Sequence, residues 1–219
     1  KSTRANRFII SRDASNGVLA SLETMRDVTS SSFLSSKRTH FDLVVVAGVH
    51  IMDAAPAGVR RARLADVAAY VDSLAPSTST GGGSAATAVH VEMGSVGHAD
   101  FYGEMVTALI AGGRADSVGL NEQEFVAMMD AVGAFSGADA LFPPDARAAM
   151  SSSVPPVVKV QQGLTRLFAL SKGSRRLSRV HFHCFGYHLI AVRADSKWVA
   201  TSERAVATGS LVATERACA

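Results

Sequence analysis

The sequence predicts an α/β fold in which a mostly parallel sheet is flanked by helices. Apolar runs of strand length alternate with longer amphipathic stretches along the chain, which is typical of βαβ units. The run from Phe41 to Ala47 is almost continuously apolar, as expected for a strand buried on both faces of a parallel sheet. No Asn-Gly pair separates two strand-like runs, so no hairpin is expected.

The first predicted unit is a strand over residues 6–11 followed by a helix. Asp13 or Ser15 can cap that helix. Its inner face is apolar at helical spacing, with Val18, Leu22 and Met25.

The second unit has residues 41–47 as its strand. His50 and Asp53 follow in the loop at its carboxyl end, where ligands collect in open α/β sheets. Residues 57–74 are expected to form a helix because Leu64, Val67, Val71 and Leu74 share one stripe. Residues 76–87 are rich in Ser, Thr and Gly and are predicted to be a flexible loop.

In the middle of the chain, a strand is predicted over residues 89–93 and a helix over 100–111. A short strand from Asp116 then runs into a second helix, whose apolar face is Phe125, Met128, Met129 and Val132. Residues 133–156 are rich in Gly, Ala, Ser and Pro, and we expect a second flexible loop there.

The C-terminal part is predicted to hold a helix from Val157, a strand over residues 179–184, a strand over 189–192 and a helix over 198–208. Strand alternation places Val180 and Phe182 on one face and His181 and His183 on the other.

Composition excludes several classes of protein. The 219 residues are 47% hydrophobic and 19% charged, which indicates a globular domain. A formal charge of +3 without interleaved aromatic and basic residues does not favour nucleic-acid binding. The two cysteines form no disulfide framework, and no apolar run reaches transmembrane length. The chain begins at Lys1, and we expect it to be a processed or partial polypeptide.

The motif Asn121-x-x-Glu124 at the start of a helix has two interpretations. As a capping box, the two side chains satisfy backbone N–H groups reciprocally. As part of a ligand site, the turn from strand to helix binds phosphate and a carboxylate there holds Mg²⁺ through water. The two roles are compatible.

Six stretches, in this order along the whole chain, resemble the ADP-dependent glucokinases of the ribokinase-like superfamily, and the animal-type branch more than the archaeal one. They are Ala5-Asn-Arg-Phe-Ile with Ser11, Asp13 and Ser15-Asn-Gly17; Asp42-Leu-Val-Val with Gly48, His50 and Met52; His90-Val-Glu92; Ser117-Val-Gly-Leu-Asn-Glu-Gln-Glu124; Arg179-Val-His-Phe-His183 with Tyr187-His188; and Ala217-Cys-Ala219.

The resemblance implies a ribokinase-like large domain and the reaction ADP + glucose → AMP + glucose 6-phosphate with Mg²⁺. It also implies that the family's His-x-Glu motif is His90 and Glu92, and that its Asn-x-x-Glu motif is Asn121 and Glu124. Glu92 and Glu124 are then the expected metal-side carboxylates, with Asn121 on a phosphate oxygen.

Weaker candidates accompany these. Arg7 and Arg12 suit a phosphate or a strand-edge ion pair equally. His181 and His183 resemble the family's strand near the nucleotide, and the alternative is a half-buried pair on a sheet face. A zinc site from His181, His183, Cys184 and His188 is disfavoured because Cys184 alternates away from the histidines. His50, Asp53 and His90 are further candidates to line the cleft, and a loop-packing role is an equal alternative for His50 and Asp53.

One family motif is missing. The family's Gly-x-Gly-Asp base motif does not occur in this chain, and the lid and sugar-contacting residues belong to an upstream region. We therefore expect the isolated chain to be inactive. The alternatives are a kinase-derived structural subunit or another ribokinase-like sugar kinase. The resemblance suggests a monomer in the cytoplasm or endoplasmic reticulum, which this sequence does not decide.

Overall fold

A computed structural model describes residues 42–74, 87–95, 97–136, 144–150, 152–170 and 177–218. The predicted strand over 6–11, its helix, and residues 76–86 of the first predicted loop lie outside this part. Within it, one sheet contains β1 (Leu43–Val46), β2 (Ala88–Glu92), β3 (Ser117–Asn121), β4 (Arg179–His183) and β5 (His188–Val192), in that spatial order.

The first four strands are parallel, and β5 is antiparallel to β4. The prediction of a mostly parallel sheet is confirmed. The expectation of no hairpin is wrong, because residues 184–187 join β4 to β5. Cys184 N donates to the carbonyl oxygen of Tyr187 at 3.0 Å, and this longer connection does not need the Asn-Gly pair of a two-residue turn.

The helices connect and cover these strands. They are α1 (Ala57–Ser73), α2 (Ala99–Met105), α3 (Glu122–Ser136), α4 (Pro144–Met150), α5 (Val157–Leu170) and α6 (Val199–Cys218), with a 3-10 helix at Val49–Ala54 and a π-helical segment at Val106–Ala111. In the described part of the chain, none of them has the length and apolar character needed to cross a bilayer.

The predicted loop over 133–156 is wrong in part. The backbone of α3 continues to Ser136, and α4 occupies Pro144–Met150. The Gly, Ser and Pro residues of the wider segment led to the loop prediction, although the Ala residues of α4 and the Pro at its first position favour a helix. The last residue of α4, Met150, is fully buried, and Arg147 pairs with Asp130 of α3. Tertiary packing therefore stabilises a helix that is too short to be stable alone.

The core lies on one face of the sheet. Alternate residues of the central strands point into it and are at most 1% exposed: Val89, Val91, Val118, Leu120, Val180 and Phe182. Helices α2, α3 and α5 cover this face, and the rings of Phe125 and Phe182 meet edge to face at 5.5 Å. The strand period of two leaves the other face to the residues in between.

The expectation that residues 41–47 are buried on both faces is wrong. Leu43 is 47% exposed and Val45 is 56% exposed, whereas Val44 and Val46 are partly buried. The reason is position, since β1 lies at the edge of the sheet in the described residues. An apolar run thus indicated the strand correctly but not its place in the sheet.

Candidate functional site

Polar side chains occupy the second face of the sheet. Parallel register aligns His90 of β2 with Ser117 of β3 and Arg179 of β4. One step further along the strands, Glu92 aligns with Gly119 and His181. Paired residues share a face, so each aligned set forms a row across the three strands. The second row lies nearer the carboxyl edge of the sheet. That edge is where open parallel sheets bind ligands.

Glu92 lies at the carboxyl end of β2 and bends over the neighbouring strand. A Cβ atom placed on Gly119 would come under 3.0 Å from the Oε2 and Cδ atoms of Glu92. The missing side chain at Gly119 therefore makes the room that the carboxylate occupies. His90 Nε2 lies 3.0 Å from Glu92 Oε2, and His183 Nε2 lies 3.7 Å from Oε1.

These contacts keep Glu92 ionised. The contact with His183 and then the hydrogen bond with His90 lower the pKa of Glu92 to about 2, against the smaller effect of burial. In return, the contact with Glu92 raises the pKa of His183, and the charges of Glu124 and Glu122 add to this effect. The carboxylates at the start of α3 thus affect the pKa of a histidine at the end of β4.

His181, two residues earlier on β4, differs from His183. Burial, and next the charge of Arg179, lower the pKa of His181 to about 4. Its Nε2 atom lies 3.1 Å from Nδ1 of His188, and these two rings stack at 5.4 Å. The ring of His183 lies 5.6 Å from that of His181. The predicted alternation along this strand is confirmed, since Val180 and Phe182 are fully buried on the opposite face.

Asn121 and Glu124 form a capping box at the start of α3. Asn121 Oδ1 accepts from the backbone N–H groups of Gln123 and Glu124, both at 2.9 Å. One carboxylate oxygen of Glu124 accepts from Asn121 N at 2.9 Å and the other from Asn121 Nδ2 at 2.9 Å. Glu124 is 5% exposed. This arrangement is the capping interpretation of the motif, and it leaves one N–H of the Asn121 amide for another acceptor.

His50 and Asp53 lie near a different segment, the loop after β2. The ring of His50 lies against Gly94, where a Cβ atom would come under 3.0 Å from Nδ1. The buried carboxylate of Asp53 accepts from Gly97 N at 2.7 Å and pairs with His98 Nδ1 at 2.8 Å. Asp53 therefore anchors the start of α2, which is the packing role weighed in the sequence.

Two predicted site residues lie outside the described structure, and three residues at the site were not predicted from the sequence. Arg7 and Arg12 lie outside the described residues. Ser117, Gly119 and Arg179 contribute to the site but were not selected as site residues. Ser117 and Gly119 lie four and two residues before Asn121, and Arg179 lies two before His181, so strand alternation puts each on the same face as its partner. Only the register between strands shows the contact of Arg179 with Ser117.

The described residues include no group of three His, Cys, Asp or Glu side chains suited to one metal ion. Cys184 instead contacts the carbonyl oxygen of Tyr187, at 3.5 Å from Sγ. Mg²⁺ commonly keeps several waters and takes only one or two carboxylates. The half-exposed, ionised Glu92 fits such a water-mediated contact. Both oxygens of Glu124 already accept hydrogen bonds, so Glu124 fits it less well.

Comparison with known proteins agrees with this architecture. The family described as "ADP-specific Phosphofructokinase/Glucokinase conserved region" matches residues 1–219. An ADP-dependent glucokinase of Bos taurus is 32% identical over 224 residues, covering 100% of this chain and 39% of that protein. A probable ADP-dependent glucokinase of Caenorhabditis elegans is 24% identical over 221 residues, covering 98% and 39%. The chain thus spans about two fifths of these relatives' length.

Solved structures share the fold at low identity. A last common ancestor of ADP-dependent phosphofructokinases from Methanosarcinales has a TM-score of 0.51 and 16% identity, covering 85% of this chain and 32% of that one. An ADP-dependent kinase complex with fructose 6-phosphate and ADPβS has a TM-score of 0.50 and 18% identity, covering 71% and 30%. The expected ribokinase-like fold is confirmed, and the chain belongs to the ADP-specific phosphofructokinase/glucokinase family.

Proposed function

We propose that this chain supplies the metal and phosphate side of an ADP-dependent sugar kinase. The reaction is transfer of a phosphoryl group from ADP to glucose, giving AMP and glucose 6-phosphate. One observation carries the proposal: an ionised Glu92 is held at the carboxyl edge of a parallel sheet, in electrostatic contact through His183 with the helix start at Glu122 and Glu124. Family membership supports it.

Each group at this edge has a role that follows from its chemistry. Glu92 would hold a Mg²⁺ ion through waters, and the ion would supply positive charge to neutralise the phosphate oxygens. The first N–H groups of α3 carry partial positive charge and favour an anion. The remaining N–H of the Asn121 amide donates to a phosphate oxygen, while its Oδ1 stays on the helix. His183, whose pKa is raised, adds a positive charge below that pKa.

Glucose is the proposed acceptor because the Bos taurus relative is named an ADP-dependent glucokinase and the Caenorhabditis elegans relative a probable one. Phosphoryl transfer also needs a base for the sugar hydroxyl proton and donors for the migrating charge. This chain contains no Gly-x-Gly-Asp segment to provide them. We therefore propose that binding of MgADP resides in the 219 residues and that turnover requires additional polypeptide.

Isothermal titration calorimetry on the 219-residue chain tests the binding step. ADP, AMP and ATP are titrated with and without Mg²⁺, into the wild-type chain and into Glu92→Gln, which removes the charge and keeps the shape. Glu203→Gln on the exposed side of α6 is the matched control. We expect Mg²⁺-dependent ADP binding that Glu92→Gln weakens roughly tenfold or more and that Glu203→Gln leaves unchanged.

Absence of nucleotide binding would overturn the proposal and favour the structural-subunit alternative. If ADP binds with the same affinity without Mg²⁺ and in Glu92→Gln, the chain has a nucleotide site but Glu92 has no part in it, and the proposed role of Glu92 is wrong. A coupled assay that follows AMP tests the second step. The 219-residue chain should give no turnover with glucose or fructose 6-phosphate, and turnover would show that the base lies within these residues.

A further inference from the structure

Four side chains cross the polar face of the sheet in a continuous line over three strands. Arg179 Nη1 lies 2.8 Å from Ser117 Oγ, Ser117 Oγ lies 2.9 Å from His90 Nδ1, and His90 Nε2 lies 3.0 Å from Glu92 Oε2. We call Arg179, Ser117, His90 and Glu92 the cross-strand relay.

The two ends of the relay fix the direction of every hydrogen bond in it. A guanidinium only donates, so Arg179 donates to Ser117 Oγ. An ionised carboxylate only accepts, so His90 donates from Nε2–H to Glu92. In a ring that carries one proton, Nδ1 is then an acceptor, and the hydroxyl of Ser117 must donate to it. The tautomer of His90 is thereby assigned from its neighbours.

We propose that Arg179 and Ser117 are positioning residues, which act through the tautomer of His90 to hold the carboxylate of Glu92 at the carboxyl edge of the sheet. With the proton on Nδ1 instead, the lone pair on Nε2 would face the carboxylate and repel it. Arg179 favours the Nε2–H tautomer because its N–H points at one lone pair of Ser117, which directs the serine hydroxyl proton away from Arg179 and leaves it to donate to His90. This is the arrangement by which outer partners orient metal-side ligands in other proteins.

The surroundings of the relay keep its members in place. Ser117 is fully buried, so water does not replace its partners readily. The guanidinium of Arg179 lies 5.4 Å from the ring centroid of Trp198 at the start of α6, a cation–π contact that restricts its position. Gly119 leaves the space above β3 into which the carboxylate of Glu92 is directed.

The consequence for ADP rests on the proposed function, but the tautomer of His90 does not. The test therefore measures both. Long-range ¹H–¹⁵N correlation spectra of the ¹⁵N-labelled chain distinguish the ring protonation states of the seven histidines, and His90→Gln identifies the His90 signals. Calorimetry with MgADP runs in parallel on the same samples.

Two variants break the relay at different points. Ser117→Ala removes the central hydroxyl, and Arg179→Met removes the donor at the half-buried end, where misfolding is less of a concern. Arg179→Lys keeps a cationic donor and should restore the wild-type state in part. Ser202→Ala is the control, since Ser202 is also buried, at 8% exposed, but its hydroxyl donates to the carbonyl oxygen of Trp198 at 2.7 Å.

We expect His90 to carry its proton on Nε2 in the wild-type chain and in Ser202→Ala. In Ser117→Ala and Arg179→Met, we expect a mixture of the Nε2–H and Nδ1–H tautomers. MgADP affinity should fall about tenfold in the same two variants. A wild-type His90 protonated on Nδ1 or on both nitrogens, or a His90 signal indifferent to both variants, would overturn the inference. The expected His90 spectra without any MgADP binding would support the relay and overturn the proposed function.

Discussion

The two faces formed by β2, β3 and β4 are built from the same strands but differ in almost every physical property. One face is apolar, and Val118, Val180 and Phe182 on it are at most 1% exposed. The other holds hydrogen-bonded polar groups, among them Ser117 and Arg179, and opens to solvent at Glu92. Strands of a parallel sheet are usually buried on both faces. A polar face on such strands is therefore a sign of function, and the apolar face supplies stability.

The largest contrast should come from truncating one ring on each face. Phe182→Ala removes a buried ring that contacts Phe125, and we expect it to lower the free energy of unfolding by about 3–5 kcal/mol. His181→Ala, one position earlier on the polar face, should cost about 1 kcal/mol or less. Urea unfolding followed through Trp198, the only tryptophan, measures both. Equal losses in the two variants would contradict this division between the faces.

Gly163 and Gly119 test the same difference between the two faces, because each makes room for a neighbouring side chain. At Gly163 of α5, a Cβ atom would come under 3.0 Å from Cζ of the buried Phe125 ring. Overpacking of this kind costs about 1–3 kcal/mol. A Gly-to-Ala change in a helix returns about 1 kcal/mol through propensity. The expected net loss for Gly163→Ala in the same unfolding experiment is therefore about 0–2 kcal/mol.

Gly119→Ala is the counterpart on the polar face. The new methyl group would meet the end of the Glu92 side chain, which can move aside toward solvent. The stability should therefore stay within about 0.5 kcal/mol of the wild type. The carboxylate would leave His183, so the pKa of His183 should fall toward its ordinary value and MgADP binding should weaken. A destabilised Gly119→Ala with normal binding would reverse the roles assigned to the two faces.

Asn121 lies where the polar face meets α3, and it combines a structural role in helix capping with a proposed role in ligand binding. Asn121→Ala removes the acceptor of two helix N–H groups and should cost about 1 kcal/mol. Asn121→Ser retains a capping oxygen and removes the amide, so its stability should stay near the wild type while MgADP binding weakens. Thermal unfolding and calorimetry on both variants separate capping from ligand binding. Normal MgADP binding by Asn121→Ser would leave the residue with a capping role alone.

Sequence periodicity predicted most of the apolar face but only part of the polar one. The alternation in residues 179–183 correctly assigned Val180 and Phe182 to one side and both histidines to the other. The link from Arg179 through Ser117 to His90 depends on strand register, which joins residues 62 and 27 positions apart and has no local signal. Helix α4 was missed because its stability comes from tertiary contacts such as the burial of Met150.

The smallest predicted effect is the pH dependence of stability that arises from His181 and His183 of β4. The contact with Glu92 raises the pKa of His183 above 6.5, and burial lowers that of His181 to about 4. The stabilisation from His183 is thus complete below pH 6.5 and is lost as pH rises through its folded pKa. For His181 it is present above pH 6.5 and is lost as pH falls toward 4.

Together, the two contributions give a shallow maximum of stability near pH 6.5. An NMR titration of the histidine ring signals resolves the two sites directly, and His183 should titrate at the higher pH. In Glu92→Gln, the titration of His183 should move down while that of His181, which owes its shift first to burial, changes less. Coincident titrations in the wild type would show that Glu92 does not hold His183, and that the polar face lacks the charge organisation on which its assigned role depends.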